Sequence, residues 1–233
     1  MQGRVIKIQE AARSHQARMQ EFEAIREEAL AREQEKRRIE RIECLIQKIP
    51  MRFRHKSFND YIDEIPEQAR IKNLAKRYVD SFKVRVKEGT PLIFKGKPGT
   101  GKTLLSLIIY QELAKIGFNV RYEPSLEFIR ELIDVKFKSQ TSYQSYINSF
   151  DDIHLLIIDE ITESVSKDGF PSELEKQVLF QIINKRYENN LCTLIISNRN
   201  QDELIHRLGL PIVDRLSDKG ISLAFDWNSY RQR

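Results

Sequence analysis

The sequence predicts an α/β fold: a parallel sheet with helices on both faces, preceded by a helical arm. Three observations carry that prediction. Short apolar runs at about 92–95, 119–122, 154–158, 191–197 and 221–225 alternate with helical patterns at about 102–116, 125–137, 172–188 and 200–208, the signature of strands joined by crossover helices. The segments LLII and TLII inside two of those runs are continuously apolar, as strands covered on both faces require. Between the first run and the helix that follows it lies the glycine-rich octapeptide GKPGTGKT, Gly96 to Thr103.

Taken in order, residues 1–49 are dense in Glu, Arg, Gln and Ala, with one Gly and no Pro. They read as a long helix or two helices in series, ended by Pro50. Phe22, Ile25 and Ala29 make one short apolar stripe and Ile39, Ile42 and Ile46 another, but AREQEKRRIE between them is almost wholly polar. Such a helix cannot bury itself: it docks on a partner, pairs with a copy of itself, or stays solvated. Residues 1–50 are therefore set apart as an arm and 51–233 as the globular domain. That domain opens with Phe53, Phe58 and Tyr61 in a turn-rich segment, and Pro66 starts a helix carrying Ile71, Leu74, Ala75, Tyr78, Val79 and Phe82 at helical spacing. The basic residues of that helix and its exit, Arg70 to Lys87, are either a solvated face or a nucleic-acid contact. Gly117 reads as a helix stop, Ser125 as a cap, and Ser172 with Glu175 has capping-box spacing. Residues 125–150 exceed a simple crossover, with SYQSYINSF reading as a second short helix.

The net charge of +5 with 31% charged residues is compatible with a polyanionic partner such as nucleic acid without requiring one. Cys44 and Cys192 lack metal-ligand spacing, so a zinc site is not expected and a reduced, cytoplasmic compartment is. No stretch approaches the ~18 consecutive apolar residues of a membrane span, and the charged N-terminus has no apolar signal segment.

The octapeptide matches GxxxxGK[ST], the phosphate-binding loop, in its strand-to-helix setting. There, backbone N–H groups turn toward phosphate oxygens at the positive end of a helix. The expected ligand is ATP, cradled by Gly96, Lys97, Pro98, Gly99, Thr100 and Gly101, with Lys102 on the β/γ-phosphates and the Thr103 hydroxyl suited to Mg²⁺. The run LLIIDE then ends in two acids at the carboxyl end of a buried strand, where ligands of open α/β sheets bind. Asp159 is expected to hold Mg²⁺, through water, and Glu160 to orient or deprotonate the attacking water; the alternative is two acids that merely end a strand. Adjacent acids favour an NTP hydrolase over a kinase. Asn198, after the run 191–197, falls near the γ-phosphate if that strand neighbours the loop strand; otherwise it is an ordinary turn former.

Further strings make the resemblance specific. FNDY, YVDSF, PLIFKGKPGTGKT, LLIIDEI, IINKRYENN, LIISNRN, RLGLPIVDRL and FDWNSYR, in that order along residues 58–231, resemble the DnaC-type bacterial and phage helicase loaders of the AAA+ ATPases, a group that includes the transposition helper IstB. The resemblance implies a AAA+ sheet without the usual helical lid domain, ATP held between protomers of a self-assembled spiral, and Asn198 as a sensor of the γ-phosphate. It implies Arg215 as an arginine finger reaching a neighbour's site, with Arg207 as a competitor, and Arg231 as a second sensor. It also implies that residues 125–150 include an insertion lining a single-stranded DNA channel. Lys136, Phe137 and Lys138, with Tyr143 and Tyr146, offer charges for phosphates and rings for stacking, unless the aromatics seal the insertion's own core. The expected partner is a hexameric replicative helicase of the DnaB type, gripped by the arm and loaded onto single-stranded DNA. The rivals are an IstB-like transposition helper acting on duplex DNA and a nucleotide-switched adaptor or helicase inhibitor with little turnover. Leu104 stands where many members carry histidine, no cysteine-rich module precedes the ATPase domain, and the arm matches only in being helical and charged.

Overall fold

Two periodicities build the molecule, one helical and solvated, the other a buried sheet. The computed structural model describes residues 2–161 and 173–230, and the chain divides into two compact units, Met1–Cys44 and Leu45–Arg233. The first unit belongs to one helix, α1 (Gln2–Gln47). Its polar stretch is laced by Arg32–Glu28 at 2.6 Å, Arg37–Glu33 at 3.0 Å and Arg38–Glu35 at 3.0 Å, all more than half exposed. Pairs of this kind contribute about 0.2–0.5 kcal/mol each. Phe22, Leu30 and Ile39 are also exposed.

The second unit starts before Pro50 because the last turn of α1 is already part of its core: Ile46 and Ile49 are buried. Tyr110 donates to the Leu45 carbonyl at 3.0 Å, and Arg54 caps the helix end through the carbonyls of Gln47 and Ile49. Next come α2 (Pro66–Asp80) and α3 (Phe82–Glu88), then β1 (Leu92–Gly96), α4 (Lys102–Lys115), β2 (Val120–Pro124), α5 (Ser125–Lys138) and α6 (Gln140–Asn148). β3 (Leu155–Asp159), α7 (Glu173–Glu188), β4 (Cys192–Ser197), α8 (Gln201–Leu208), α9 (Leu210–Ser217) and β5 (Ile221–Phe225) follow. Every expected strand and helix is present within a few residues. The capping box expected at Ser172 rests on a residue outside those described.

The strands form one parallel sheet in the order β2-β3-β4-β1-β5. Side chains alternate between its faces, so Leu92, Phe94, Leu155, Ile157, Leu194 and Ile196 join α2 and α4 in one core. Ile93, Leu156, Ile158 and Ile195 join helices α5 to α9 in the other. This is why LLII is apolar throughout. Among the described residues, β5 is the last element apart from the short segment to Tyr230.

One polar residue crosses the second core. Arg186 of α7 is 1% exposed and donates to Thr193 Oγ1, the Phe150 carbonyl, and the carbonyls of Ile153 and Cys192, at 2.6–3.1 Å. Burial lowers its guanidinium to about 10, which leaves it charged at neutral pH. It thereby ties α7 to β4 and to the chain between α6 and β3. Arg186→Met, which strands three buried carbonyls, is expected to lower the unfolding free energy by roughly 3–5 kcal/mol, seen as a lower urea midpoint at unchanged slope.

Candidate nucleotide-binding site

β4 lies between the loop strand β1 and the acid strand β3, so the tips of all three strands face one pocket of about 380 Å³. Its lining includes Gly99, Gly101, Lys102, Thr103, Asp159, Glu160 and Asn198. Strand order thus gathers groups that are some 100 residues apart in sequence. Asn198 follows Ser197, which is in register with Lys95 of β1, so the neighbour condition on Asn198 is met.

The loop is held from behind by β5. Gly96 pairs with Phe225, Lys97 N–H donates to the Phe225 carbonyl at 3.1 Å, and Tyr230 N–H donates to the Gly99 carbonyl at 2.9 Å. A Cβ on Gly96, at φ +130°, would stand 2.4 Å from the Phe225 carbonyl oxygen. This glycine therefore answers to the neighbouring strand, while Gly101, at φ +92°, is the N-cap of α4. Thr100 is buried and its hydroxyl donates to the Lys97 carbonyl at 2.8 Å. Lys102 is 4% exposed, with Nζ 2.7 Å from the Gly96 carbonyl and 2.6 Å from that of Lys97. Its ammonium therefore sits in the hollow of the loop, where it meets phosphate charge.

Asp159 is 3% exposed at the end of β3. Tyr122 donates to its Oδ2 at 2.9 Å, while the buried Oδ1 has no hydrogen-bond partner among the described residues. An unpartnered acceptor on a residue that lines the pocket suits a hard cation, and the hydroxyl of Thr103, which lines the same pocket, is a second oxygen donor. Burial raises the carboxyl above the ordinary aspartate range, opposed by hydrogen bonds from Tyr122 and Thr103 and by the charge of Lys102. Burial also holds the Tyr122 phenol well above the tyrosine range, which keeps it a donor. Glu160 is exposed toward the pocket and has φ +60°, uncommon for a residue with a Cβ.

Other expected residues lie elsewhere. Arg215 of α9 is outside the pocket, half-buried, donating to Asn184 Oδ1 at 2.6 Å and the Pro211 carbonyl at 2.9 Å and packing over the Phe180 ring. Arg207 is buried and paired with the equally buried Glu175 at 3.0 Å, so of the two only Arg215 is at the surface. Arg231 lies outside the described residues. In the α5–α6 insertion, Tyr143 is buried with its hydroxyl on Gln181, and Tyr146 packs on Phe150. Both tyrosines therefore serve the core. Phe137 is 74% exposed between the half-buried Lys136 and the exposed Lys138.

Pro50, Arg52, Phe53, Tyr122 and Tyr230 also line the pocket, and of these only Tyr230, in FDWNSYR, belongs to a string that the sequence singled out. The first three arrive by the turn after α1, held to α4 by Gln111, which donates to the Phe53 carbonyl at 3.0 Å. Tyr122 lies inside a predicted strand run, in the strand that pairs with the acid strand, and no local pattern marked it.

A phosphate loop and a buried acid at the tips of strands flanking β4 define a P-loop nucleotide-binding protein. The chain belongs to the family of IstB-like ATP binding proteins, whose profile matches residues 5–233. Replicative helicase loader DnaC of Escherichia coli K12 is 31% identical over 178 residues, 76% of this chain and 69% of that protein. DnaC of Buchnera aphidicola subsp. Schizaphis graminum is 28% identical over the same shares. In fold the chain matches the crystal structure of the DnaC helicase loader, with TM-score 0.66 and 20% identity over 76% of this chain and 99% of that one. It matches the DnaI structure with TM-score 0.62 and 21% identity, over 78% and 93%. No helix among the described residues is long and apolar enough to cross a membrane.

The fold favours the neutral form of Asp159, so stability is lost as pH rises from the ordinary carboxylate range through the raised folded value. In metal-free buffer Asp159→Asn is expected to raise Tm at neutral pH. The gain should shrink as pH falls toward about 4, followed by differential scanning fluorimetry across that range.

Proposed function

We propose that the chain is an ATP-switched loader that binds a hexameric replicative helicase and helps place it on single-stranded DNA. The observation that carries this reading is that Lys102, the buried Asp159 with its unpartnered Oδ1, and Glu160 line one pocket, in a chain 31% identical to a helicase loader over 178 residues.

In this reading the loop from Gly96 to Thr103 binds the ATP phosphates, with Lys102 on the β/γ-oxygens. Thr103 and Asp159 hold Mg²⁺, which supplies charge neutralisation on those oxygens when bound. Glu160 orients the lytic water and withdraws its proton, and Asn198 reads the γ-phosphate. Arg215 is not among the residues lining its own pocket, which suits delivery to a neighbour's: a guanidinium presented in trans makes hydrolysis depend on assembly into a spiral. Residues 125–150, with Lys136, Phe137 and Lys138, contact single-stranded DNA, Phe137 offering a stacking face. The solvated arm, ending at Cys44, grips the helicase in the cytoplasm.

Lys102→Ala is expected to abolish ATP binding, Glu160→Gln to bind ATP without turnover, and Arg215→Ala to bind ATP yet lose about 10³-fold of assembly- and DNA-stimulated turnover. Phosphate release and fluorescent-nucleotide titration separate the three. Normal stimulated hydrolysis in the Arg215 variant removes the finger assignment.

Native mass spectrometry with the cognate helicase, with and without ATP, tests the partner. The truncated comparison should begin at Leu45, because a cut at 50 removes Ile46 and Ile49 from the core. A multi-copy complex lost on truncation is the expected result; assembly on duplex DNA with no helicase contact would replace the loader with a transposition helper.

A further inference from the structure

The two acids at the tip of β3 are not held by β3 alone. Glu160 sits one residue past the strand at φ +60°, a conformation costing of order 1 kcal/mol or more for a residue with a Cβ, which persists only where the surroundings impose it. The constraints bracket it. Its carbonyl accepts from Ser125 Oγ at 2.8 Å, and the next amide, of Ile161, donates to the Ile196 carbonyl of β4 at 3.0 Å. Ser125 is 2% exposed and Ile161 fully buried, so neither bond is exchanged freely with water. On the other acid, Tyr122 holds Oδ2 of Asp159, a residue lining the pocket, while its buried Oδ1 has no hydrogen-bond partner among the described residues.

Both restraining side chains come from one place, the corner where β2 ends and α5 begins. Parallel pairing brings that corner to the acids, with Pro124 in register with Asp159. Glu160 also borders a second cleft of about 150 Å³ lined by Pro124, Ser125, Leu126 and Glu127. Its side chain therefore has room on the α5 side as well as the nucleotide side. Which way it points is decided by a backbone that Ser125 pins.

We propose that Tyr122 and Ser125 are positioning residues, Tyr122 orienting Asp159 toward the cation and Ser125 fixing the strained turn that aims Glu160 at the lytic water. The proposal rests on the hydrolase reading above and adds a physical connection. Ser125 is the first residue of α5 and Phe137 lies near its far end, about 18 Å along the helix axis. A shift of α5 on engaging a ligand at Phe137 therefore acts on the carbonyl of Glu160 without any intervening loop.

The full-length chain is compared with Ser125→Ala and Tyr122→Phe, two small deletions of single hydroxyls. Ser125→Ala should keep the Kd for a fluorescent ATP analogue within about twofold, lose about tenfold in kcat with KM little changed, and exchange the Ile161 amide about tenfold faster. Tyr122→Phe should weaken Mn²⁺ binding to the ATP complex by about tenfold, read by electron paramagnetic resonance, with Kd for the nucleotide alone unchanged. Parental kcat and amide exchange in Ser125→Ala, or parental Mn²⁺ affinity in Tyr122→Phe, overturns the proposal. So does a loss of kcat that only follows a fall in Tm and in nucleotide binding together. If the parent itself shows no turnover with DNA and helicase, the hydrolase reading fails, while amide exchange and Mn²⁺ affinity still decide the positioning roles.

Discussion

The rest of the structure depends on keeping two ionisable groups, Lys102 and Asp159, out of water at the tips of parallel strands. Each is less than 5% exposed, and burying a charge costs several kcal/mol unless polar partners replace the lost solvent. The chain supplies such partners unevenly. Lys102 is given two backbone carbonyls and the Thr100 hydroxyl of its own loop, and Asp159 is given the Tyr122 phenol on Oδ2 while its buried Oδ1 has no partner among the described residues. A buried carboxylate oxygen left without a partner is stabilised by whatever brings a cation to it. Ligand affinity and instability of the empty protein are thus two sides of one arrangement.

That arrangement needs a rigid support, and the two-faced sheet provides it. β4 spaces the loop from the acids, β5 braces the loop through Phe225, and β2 and the start of α5 reach the acids through Tyr122 and Ser125. Apolar contacts on both faces leave the strands little freedom to shift, because packed interiors have few voids and transmit displacement. The helices differ in how far they share in this. Helix α4 is buried along most of its length, whereas α1 up to Cys44 belongs to a separate unit stabilised by exposed ion pairs.

Much of this was legible from residues alone, for physical reasons. Continuous apolar runs locate doubly covered strands, and a glycine-rich loop followed by Lys and Thr has one well-attested use. What escaped were contacts made by residues with ordinary local roles. Phe53 and Pro50 read as turn residues, yet they line the pocket. Arg207 read as a competitor for the finger role, yet it is buried against Glu175, and Arg186, inside the string IINKRYENN but without an expected role, is buried among polar partners. Tyr143 and Tyr146 read equally as stacking platforms or as core, and only packing assigned them to the core, leaving Phe137 outside.

The sequence by itself determined the fold class, the succession of elements, the phosphate loop and the acid pair, because each is written in local periodicity or in a short contiguous string. The tertiary structure decided where the arm ends, which arginine of Arg207 and Arg215 is at the surface, and which groups meet across the pocket. Those facts depend on strand order and register. Asn198 lies beside the loop only because β4 inserts between β1 and β3, and Ser125 touches Glu160 only because β2 pairs with β3 in the observed register. Such pairings join residues tens of positions apart, and no local pattern encodes them.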